Sequence, residues 1–544
     1  MIRHLTLSFI FVSACALAQS PTVEFTSSNL PIVVISTNEE IKDDPKIVAD
    51  MGIIYNGVGV RNNVSDAFNN FTGKIGIEIR GSSSQLFPKK QYGIELRDAT
   101  GVEGKEASLL GLPKEEDWIL FAPYNDKSLM RDALSYKLGR DLGHYATRTK
   151  YVELVLNGNY EGIYVLMEKI KRDKNRVNIE KLDPEETDAA NITGGYIIKI
   201  DKTTGDSGEG WYSPHKPAPS AYQQSILFQY EYPKYNEIVP EQKAYIQQYI
   251  AAFENALAGD QFKDPANGYA KYIDVNSFID YLIVQEITKN VDGYRLSAFF
   301  YKDSDAKGGK LVMGPIWDFN LGFGNADYCD GGSPQGFAKD FNTICDFHEA
   351  LVPFWWNRLV EDEAFRQKLS TRWQELRTST LKTSVIHQYI DSVASVLNQE
   401  SQQRNFTRWP VLNTYVWPNY YIGATYQQEV VWLKSWISQR LTWLDDNFRE
   451  IVTATEQEQQ TADIAVYPNP FSGAVHIAYT LRKPAAVEIT IYNAVGNRVH
   501  SETIEHLDAG KKIYTRDMGN ASGLYYYTIK RGDAIVARGK LVAQ

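Results

Sequence analysis

Two aspartates in this sequence have the placement that chemistry requires. Asp292 sits in Asn290-Val291-Asp292-Gly293-Tyr294, after a helical pattern and before a predicted hairpin. Asp318 sits in Gly314-Pro315-Ile316-Trp317-Asp318-Phe319-Asn320, directly after that hairpin. Two carboxylates flanking one hairpin can converge on one point. A phosphotransferase needs such a pair, one to orient an acceptor hydroxyl and one to hold Mg²⁺. Each has a plainer reading beside this one. An acidic residue after a helix is often only a cap, which is the alternative for Asp292. Asp318 can be structural, but a carboxylate wedged between Trp317 and Phe319 needs partners or a metal.

Basic candidates come from the N-terminal half. Arg80, Lys89 and Lys90 flank Gly81-Ser82-Ser83-Ser84 and can meet phosphate oxygens together with the turn's backbone N–H groups. The alternative is a solvated basic loop. Glu168 ends the strand-like Tyr164-Val165-Leu166-Met167-Glu168, just before Lys169-Ile170-Lys171-Arg172. It fits a hinge position beside an adenine, or a strand-end salt bridge to Lys171. Other familiar signals fail. There is no phosphate-loop glycine-lysine motif and no HExxH zinc pair. Gly205-Asp206-Ser207-Gly208 is followed by Glu209, with no His or Asp in the order a serine protease needs, and reads as a loop. Asp303-Ser304-Asp305 imitates a calcium loop, but Gly314 stands where a bidentate Glu belongs, so a hairpin turn is expected.

The elements that must position these residues follow from periodicity. Pro31–Ser36 has a buried-strand pattern. Lys74–Arg80 alternates with period two, and Gln91–Arg97 follows it as a hairpin partner. Leu129, Met130, Leu134, Leu138 and Leu142 have helical spacing over Ser128–Leu142, with Gly143 as the stop. Asn157-Gly158-Asn159 joins strands at Tyr151–Leu156 and Gly162–Met167. From Val275 the pattern turns helical. A hairpin interrupts it at Ala298–Lys302 and Lys310–Met313, and long amphipathic segments follow at Phe354–Leu381, Ser384–Leu397 and Gln428–Phe448. The expected class is therefore α+β, with a sheet-rich N-terminal half and a helical C-terminal half. Ala454–Ala462 is polar without a hydrophobic period and reads as a linker, so 453–462 separates two domains. Beyond it, Val475–Thr480, Val487–Tyr492 and Leu524–Lys530 predict a small β-sandwich over 463–544.

Composition excludes several classes. Hydrophobic residues make up 43% and charged residues 23%, which excludes disorder as the main state. Lys+Arg is 57 against Asp+Glu 67, a net charge of −10, so neither nucleic-acid binding nor electrostatic attachment to an anionic membrane is expected. Residues 1–18 read as an export signal: Arg3, the apolar run Leu5–Ala14, and Ala16-Leu17-Ala18 as the cleavage site. Val12-Ser13-Ala14-Cys15 offers a rival lipoprotein cleavage. No stretch reaches the roughly 18 apolar residues of a transmembrane helix. Cleavage after Ala18 removes Cys15 and leaves Cys329 and Cys345, a disulfide in an oxidising compartment or else two free thiols.

Together these segments resemble the CotH family of atypical kinases, in the version common in Bacteroidetes. The resemblance covers roughly 22–450 and rests on IEIRGSSSQLFPKKQYGIELRD, DWILFAPYNDKSLMRDAL, GIYVLMEKIKRDKNRVNI, GGYIIKIDK, NVDGYRLSAFFYKD and GPIWDFNLGFGN. It implies a two-lobed protein-kinase-like domain over 19–452 that uses ATP and Mg²⁺ (or Mn²⁺) to phosphorylate protein Ser/Thr. Asp292 then matches the catalytic acidic position, and Asp318 the metal-binding Asp that plays the role of the Asp in DFG. Arg80, Lys89 and Lys90 match the basic segment of the small lobe. Two positions depart from the pattern. Ser297 stands where a kinase catalytic loop places a metal-binding Asn, and Asn320 stands where some members have a second Asp. Residues 463–544 resemble the type IX secretion C-terminal sorting domain, through Tyr467-Pro468-Asn469-Pro470-Phe471, Leu507-Asp508-Ala509-Gly510, Gly523-Leu524-Tyr525 and Gly539-Lys540-Leu541-Val542. That implies the type IX machinery as a partner, a secreted or outer-surface location, and attachment to surface lipopolysaccharide in some cases.

Two other functions remain open in the sequence. One is a non-catalytic surface protein that binds glycan or protein, with Trp355, Trp356, Trp409, Trp417, Tyr420 and Tyr421 as stacking faces, unless those rings pack in the core. The other, weaker, is a glycoside hydrolase built on Asp292 and Asp318, which a carboxylate separation beyond about 10 Å would remove.

Overall fold

The computed structural model describes residues 23–203, 210–217, 224–345, 350–461, 465–481, 485–508, 510–531 and 534–544. The export signal at 1–18 and the Gly205–Gly208 string lie outside them. The chain divides into two compact units. One comprises the residues up to Arg358 with Gln374–Trp443, and the other Leu359–Trp373 with Leu444–Gln544.

The first unit begins with a closed barrel of seven strands. They are β1 (Ile32–Ser36), β2 (Ile47–Ile54), β3 (Phe71–Arg80), β4 (Gln91–Arg97), β5 (Asp117–Phe121), β6 (Thr149–Leu156) and β7 (Asn159–Glu168), in the order β1-β2-β3-β4-β5-β7-β6. The parallel pair β1–β6 closes it, with Ile32 opposite Glu153. Inward residues alternate as a barrel requires: Ile75 and Ile77, Ile94 and Leu96, Trp118 and Leu120 are all buried in one core. Apolar and period-two patterning foretold β1, β3, β4, β6 and β7 but neither β2 and β5 nor the closure, which one parallel pair between distant segments decides. The β6–β7 turn is Asn157-Gly158, both at positive φ (49° and 78°), as a two-residue hairpin demands.

Helix α1 (Arg131–Asp141) lies between β5 and β6 in the chain. A five-stranded sheet follows. Its strands β8 (Tyr196–Ile200), β9 (Gly210–Tyr212), β10 (Leu227–Tyr232), β11 (Ala298–Lys302) and β12 (Leu311–Met313) run in the order β9-β10-β8-β11-β12. The expected hairpin is thus β11–β12, annexed to strands from well upstream. Helices α2 (Pro240–Ala258) and α3 (Val275–Thr288) pack near it. Asp274 caps α3, accepting the N–H groups of Asn276 and Ser277 at 2.9 and 3.1 Å.

The expected helix over Phe354–Leu381 is two, Trp355–Leu359 and α4 (Glu363–Arg377). Asp362 makes the break, its side chain accepting the Ala364 N–H at 3.1 Å, which starts a new helix. Then come α5 (Thr383–Leu397), α6 (Ser401–Arg408) and α7 (Tyr426–Thr461). Helix α7 runs through the polar segment read as a linker. Its Glu, Gln and Ala residues are adequate helix formers, and no Gly or Pro stops it.

Residues beyond α7 form a three-stranded and a four-stranded antiparallel sheet. Val475 and Ile477 of the first and Ile489, Ile491 and Ile529 of the second share one apolar core.

Cys329 and Cys345 are joined by a disulfide with Cα atoms 5.0 Å apart. Closing a loop of this size contributes about 3 kcal/mol. Reduction is expected to lower the urea midpoint accordingly. An unchanged midpoint in dithiothreitol, with both thiols shown free by alkylation, would remove that contribution.

Candidate functional site

One cleft of about 590 Å³ in the first unit collects the end of β3, the turn after it, the end of β8, and the loops at 290–297 and 317–321. Asp292, Ser297, Asp318, Asn320 and Arg80 all line it, as do Gly81 to Ser84. The two aspartates singled out by spacing are therefore brought to one cavity by the β11–β12 hairpin between them.

The Asp292 loop is held tightly. Helix α3 ends at Thr288 and its cap is Lys289 in the left-handed region, so Asp292 is not the cap. A Cβ on Gly293 would lie 2.5 Å from Gln285 Oε1 and 2.8 Å from the Asn290 carbonyl oxygen, so only glycine fits there. Tyr294 and Ser297 take positive φ, 66° and 49°. Such strain persists only where surroundings fix it. Asn290 Nδ2 donates to the Asp318 carbonyl oxygen at 2.8 Å, tying one loop to the other.

Asp318 also has positive φ, 61°. Burial and the charge of Asp292 push its carboxyl up to about 6, against the opposing pull of Lys202 and Arg80. The Arg80 guanidinium stacks over Trp317, 5.7 Å from the ring centroid. Burial lowers its pKa. Asn320 Nδ2 donates to Asn125 Oδ1 at 3.1 Å, which makes the amide oxygen the opposite end of that side chain.

Three cleft residues escaped the sequence reading. Asp201 and Lys202, just past β8, lie in the GGYIIKIDK segment, where a carboxylate ending an apolar run was the available signal. Ser297 Oγ donates to Asp201 Oδ2 at 3.4 Å, and burial raises the Asp201 pKa. Asp132 on α1 is 3% exposed. Its Oδ1 accepts the Phe319 N–H at 2.8 Å and the Tyr136 O–H at 3.2 Å, while its Oδ2 is buried with no hydrogen-bond partner. Its position in the first turn of α1 carries no local pattern that marks it as a site residue.

Three expected ligands point elsewhere. Lys89 is buried, its ammonium donating to the Ile163 carbonyl at 2.6 Å and Asn405 Oδ1 at 2.9 Å. Burial pushes its pKa down to about 7. It ties the barrel to α6 rather than facing a phosphate. Lys90 donates to the Gln85 carbonyl at 2.6 Å and braces the serine turn from behind. Glu168 accepts the Arg148 backbone N–H and Nε–H, both at 3.0 Å, not Lys171. Lys171 instead contacts Glu115, Glu116 and Asp117 at 2.8, 2.9 and 2.8 Å. That acidic cluster already holds its cation. Among the six aromatics considered as stacking faces, Trp355, Trp356 and Trp409 are buried and Tyr421 stacks on Trp432 at 4.6 Å. Trp417 and Tyr420 are exposed, 49% and 55%. The calcium-like Asp303–Asp305 segment is a turn in which Asp305 accepts from Lys302 at 2.8 Å.

A second groove of about 710 Å³ opens beside the first and shares Asp201, Lys202, Asp292 and Trp417 with it. Tyr328 lies on this side, its ring parallel to Trp417 with centroids 6.1 Å apart. The donor set of the cleft is oxygen-only, carboxylates and an amide, which suits a hard divalent cation, and the partnerless Asp132 Oδ2 fits such a charge. Arg80 and Lys202 add the positive charge that phosphate oxygens require.

Residues 77–444 match the family described as CotH kinase protein, and residues 465–544 match the secretion system C-terminal sorting domain. The chain belongs to the CotH kinase protein family. It is 23% identical over 317 residues to the inner spore coat protein H of Bacillus subtilis, covering 58% of this chain and 74% of that protein. Two solved structures align weakly. An immunoglobulin-like protein of Pseudomonas aeruginosa is 9% identical, with a TM-score of 0.13, over 15% of this chain and 90% of that one. The DNA glycosylase AlkC of Pseudomonas fluorescens is 10% identical, with a TM-score of 0.11, over 38% and 70%. The sorting domain implies the type IX secretion machinery as a partner and export to the cell surface or beyond. No helix among the described residues is long and apolar enough to cross a membrane.

Proposed function

We propose that this chain is an exported kinase that transfers the γ-phosphoryl group of ATP to a protein Ser/Thr hydroxyl. In this reading residues 1–18 are its export signal, 19–452 a two-lobed kinase-like domain with ATP between the lobes, and 463–544 the sorting domain. The observation that carries it is the convergence of Asp292 and Asp318 with Arg80 and Lys202 in one cleft. A site for a metal-bound polyphosphate needs that mixture: carboxylates for the cation and cations for the phosphate.

Asp318, with Asn320 beside it, would hold Mg²⁺ or Mn²⁺, which supplies neutralisation of charge on the phosphate oxygens. Arg80 and Lys202 draw the remaining phosphate charge. Asp292, shared by both cavities, accepts a hydrogen bond from the acceptor hydroxyl and aims its oxygen at phosphorus. As the new O–P bond forms, the bond to the β-phosphate oxygen breaks and ADP leaves. The hydroxyl proton passes to Asp292 and then to water. Catalysis is mostly positioning and charge stabilisation.

The test is full-chain thermal unfolding with and without Mg-ATP, paired with phosphoryl transfer to a Ser/Thr peptide library. Wild type is expected to gain several degrees with Mg-ATP. Asp292→Asn is expected to keep that gain but lose about 10²–10⁴ in kcat. No shift at millimolar nucleotide would end the kinase reading. The exposed Trp417 and Tyr420 would then favour a surface protein that binds glycan or protein.

A further inference from the structure

We propose that Asp132 is a second carboxylate ligand to the cation that Asp318 holds, replacing the amide that the 290–297 loop lacks at Ser297. The inference rests on the kinase reading above and adds a residue that the resemblance to kinases did not indicate.

Asp132 Oδ1 is fully occupied, accepting the Phe319 N–H at 2.8 Å and the Tyr136 O–H at 3.2 Å. The same Tyr136 oxygen accepts the Asp318 N–H at 3.2 Å. Asp132 and Tyr136, one turn apart on α1, therefore grip the backbone at Asp318 and Phe319 directly. This fixes the backbone at Asp318 relative to the helix.

The other oxygen, Oδ2, has no hydrogen-bond partner, although Asp132 is 97% buried and lines the cleft that Asp318 lines. A buried carboxylate oxygen without a partner is unfavourable unless a proton or a cation meets it. The adjacent cation on α1, Arg131, is committed elsewhere. Arg131 pairs with Asp126 at 2.6 Å and donates to the Gly322 carbonyl at 3.0 Å. The charged groups that act on Asp132 are the carboxylates Asp318 and Asp126, which worsen its position.

Two neighbouring carboxylates with one oxygen unmet suit a hard divalent ion, which commonly takes one or two carboxylates and completes its shell with phosphate and water. A kinase catalytic loop supplies the second protein ligand from an Asn. Here that position is Ser297, and its hydroxyl turns to Asp201. Asp132, on α1, lines the same cleft and supplies that second ligand.

The rival is a proton: Asp132 neutral and purely structural. Mn²⁺ binding to the full chain, followed by electron paramagnetic resonance with and without a non-hydrolysable ATP analogue, separates the two. Asp132→Asn keeps the Oδ1 acceptor for Phe319 and removes the charge. It is expected to weaken Mn²⁺ binding at least ~10-fold, with Asp132→Glu closer to wild type. Asp132→Asn binding Mn²⁺ as wild type does, while Asp318→Asn loses it, would overturn the assignment and leave the kinase reading standing. Wild type failing to bind Mn²⁺ even with the analogue would overturn both. Should Asp132→Asn not fold, the waters on Mn²⁺ in wild type decide, counted by ¹⁷O broadening without nucleotide. About three or fewer of an octahedral six supports Asp132 as a ligand beside Asp318 and Asn320, and about four or more excludes it.

Discussion

Asp318→Asn is expected to abolish the Mg-ATP-dependent rise in unfolding temperature and to cut phosphoryl transfer about 10³-fold, while making the metal-free protein more stable at pH 8. The two signs follow from one carboxylate. Asn keeps the side-chain shape and tolerates the left-handed backbone at φ 61°, where Ala would add strain unrelated to the metal. What it removes is charge. In the folded chain the Asp318 carboxyl is raised from 3.8 to about 6, chiefly by burial and then by Asp292. The folded state thus holds that proton more tightly than the unfolded chain does. Its contribution to stability is complete below about pH 3.8 and is lost as pH rises through about 6. Above that, the metal-free wild type carries the cost of an ionised, poorly solvated carboxylate, about 1–2 kcal/mol after allowance for partial exposure to water. Asn does not carry it. Urea unfolding in EDTA at pH 8 and pH 4 should show the variant ahead at the first and level at the second. A variant less stable than wild type at pH 8 in EDTA would mean that Asp318 is a structural anchor. The metal reading would then lose its physical basis.

The difference between what the sequence discloses and what it conceals is visible in particular residues. Gln91–Arg97 was legible because its apolar side chains alternate, and Val275–Thr288 because Phe278, Tyr281, Leu282, Val284 and Ile287 recur at helical spacing, although that helix is buried all round from Ser277 on. The Asp292–Asp318 pairing was legible because a hairpin returns the chain to where it left. Lys89 was misread for the converse reason. It lies near the serine turn in sequence, but its ammonium is directed at Ile163 and Asn405, 74 and 316 positions away. No local pattern carries the position of a partner that distant. Asp132 and Asp201 reach the cleft from a helix and a strand end that tertiary packing alone brings together. Barrel closure is of the same kind, since one parallel register between β1 and β6 converts an open sheet into a closed one.

The largest effect on stability is expected at Glu286, which no motif marks. Its carboxylate, fully buried on α3, accepts the Tyr294 O–H at 2.9 Å, the N–H groups of Ala338 and Lys339 at 2.8 and 3.0 Å, and Arg440 at 3.0 Å. Arg440, equally buried on α7, also donates to the Glu286 backbone carbonyl at 2.6 Å. Desolvation raises the Glu286 pKa and lowers that of Arg440 to about 10, so each is tolerable only because the other is present. Glu286→Ala leaves the guanidinium buried without its counter-charge and frees two backbone donors, a loss of about 3–5 kcal/mol. Glu286→Gln keeps the shape and one acceptor, and should cost about 1–3 kcal/mol. The damage is directional. Tyr294, at positive φ and hydrogen-bonded to this carboxylate, is two residues from Asp292. Loosening it should disorder the 290–297 loop before the rest of the unit unfolds. In Glu286→Gln, activity should therefore fall at a temperature below the global transition, with amide exchange quickening first around 290–297. The double variant Glu286→Leu/Arg440→Met removes both charges and should recover much of the urea midpoint without recovering activity, because Tyr294 still lacks its acceptor. A Glu286→Ala cost under about 1 kcal/mol would show that water or a rearranged Arg440 satisfies the pair. The loop geometry at Asp292 would then owe nothing to it.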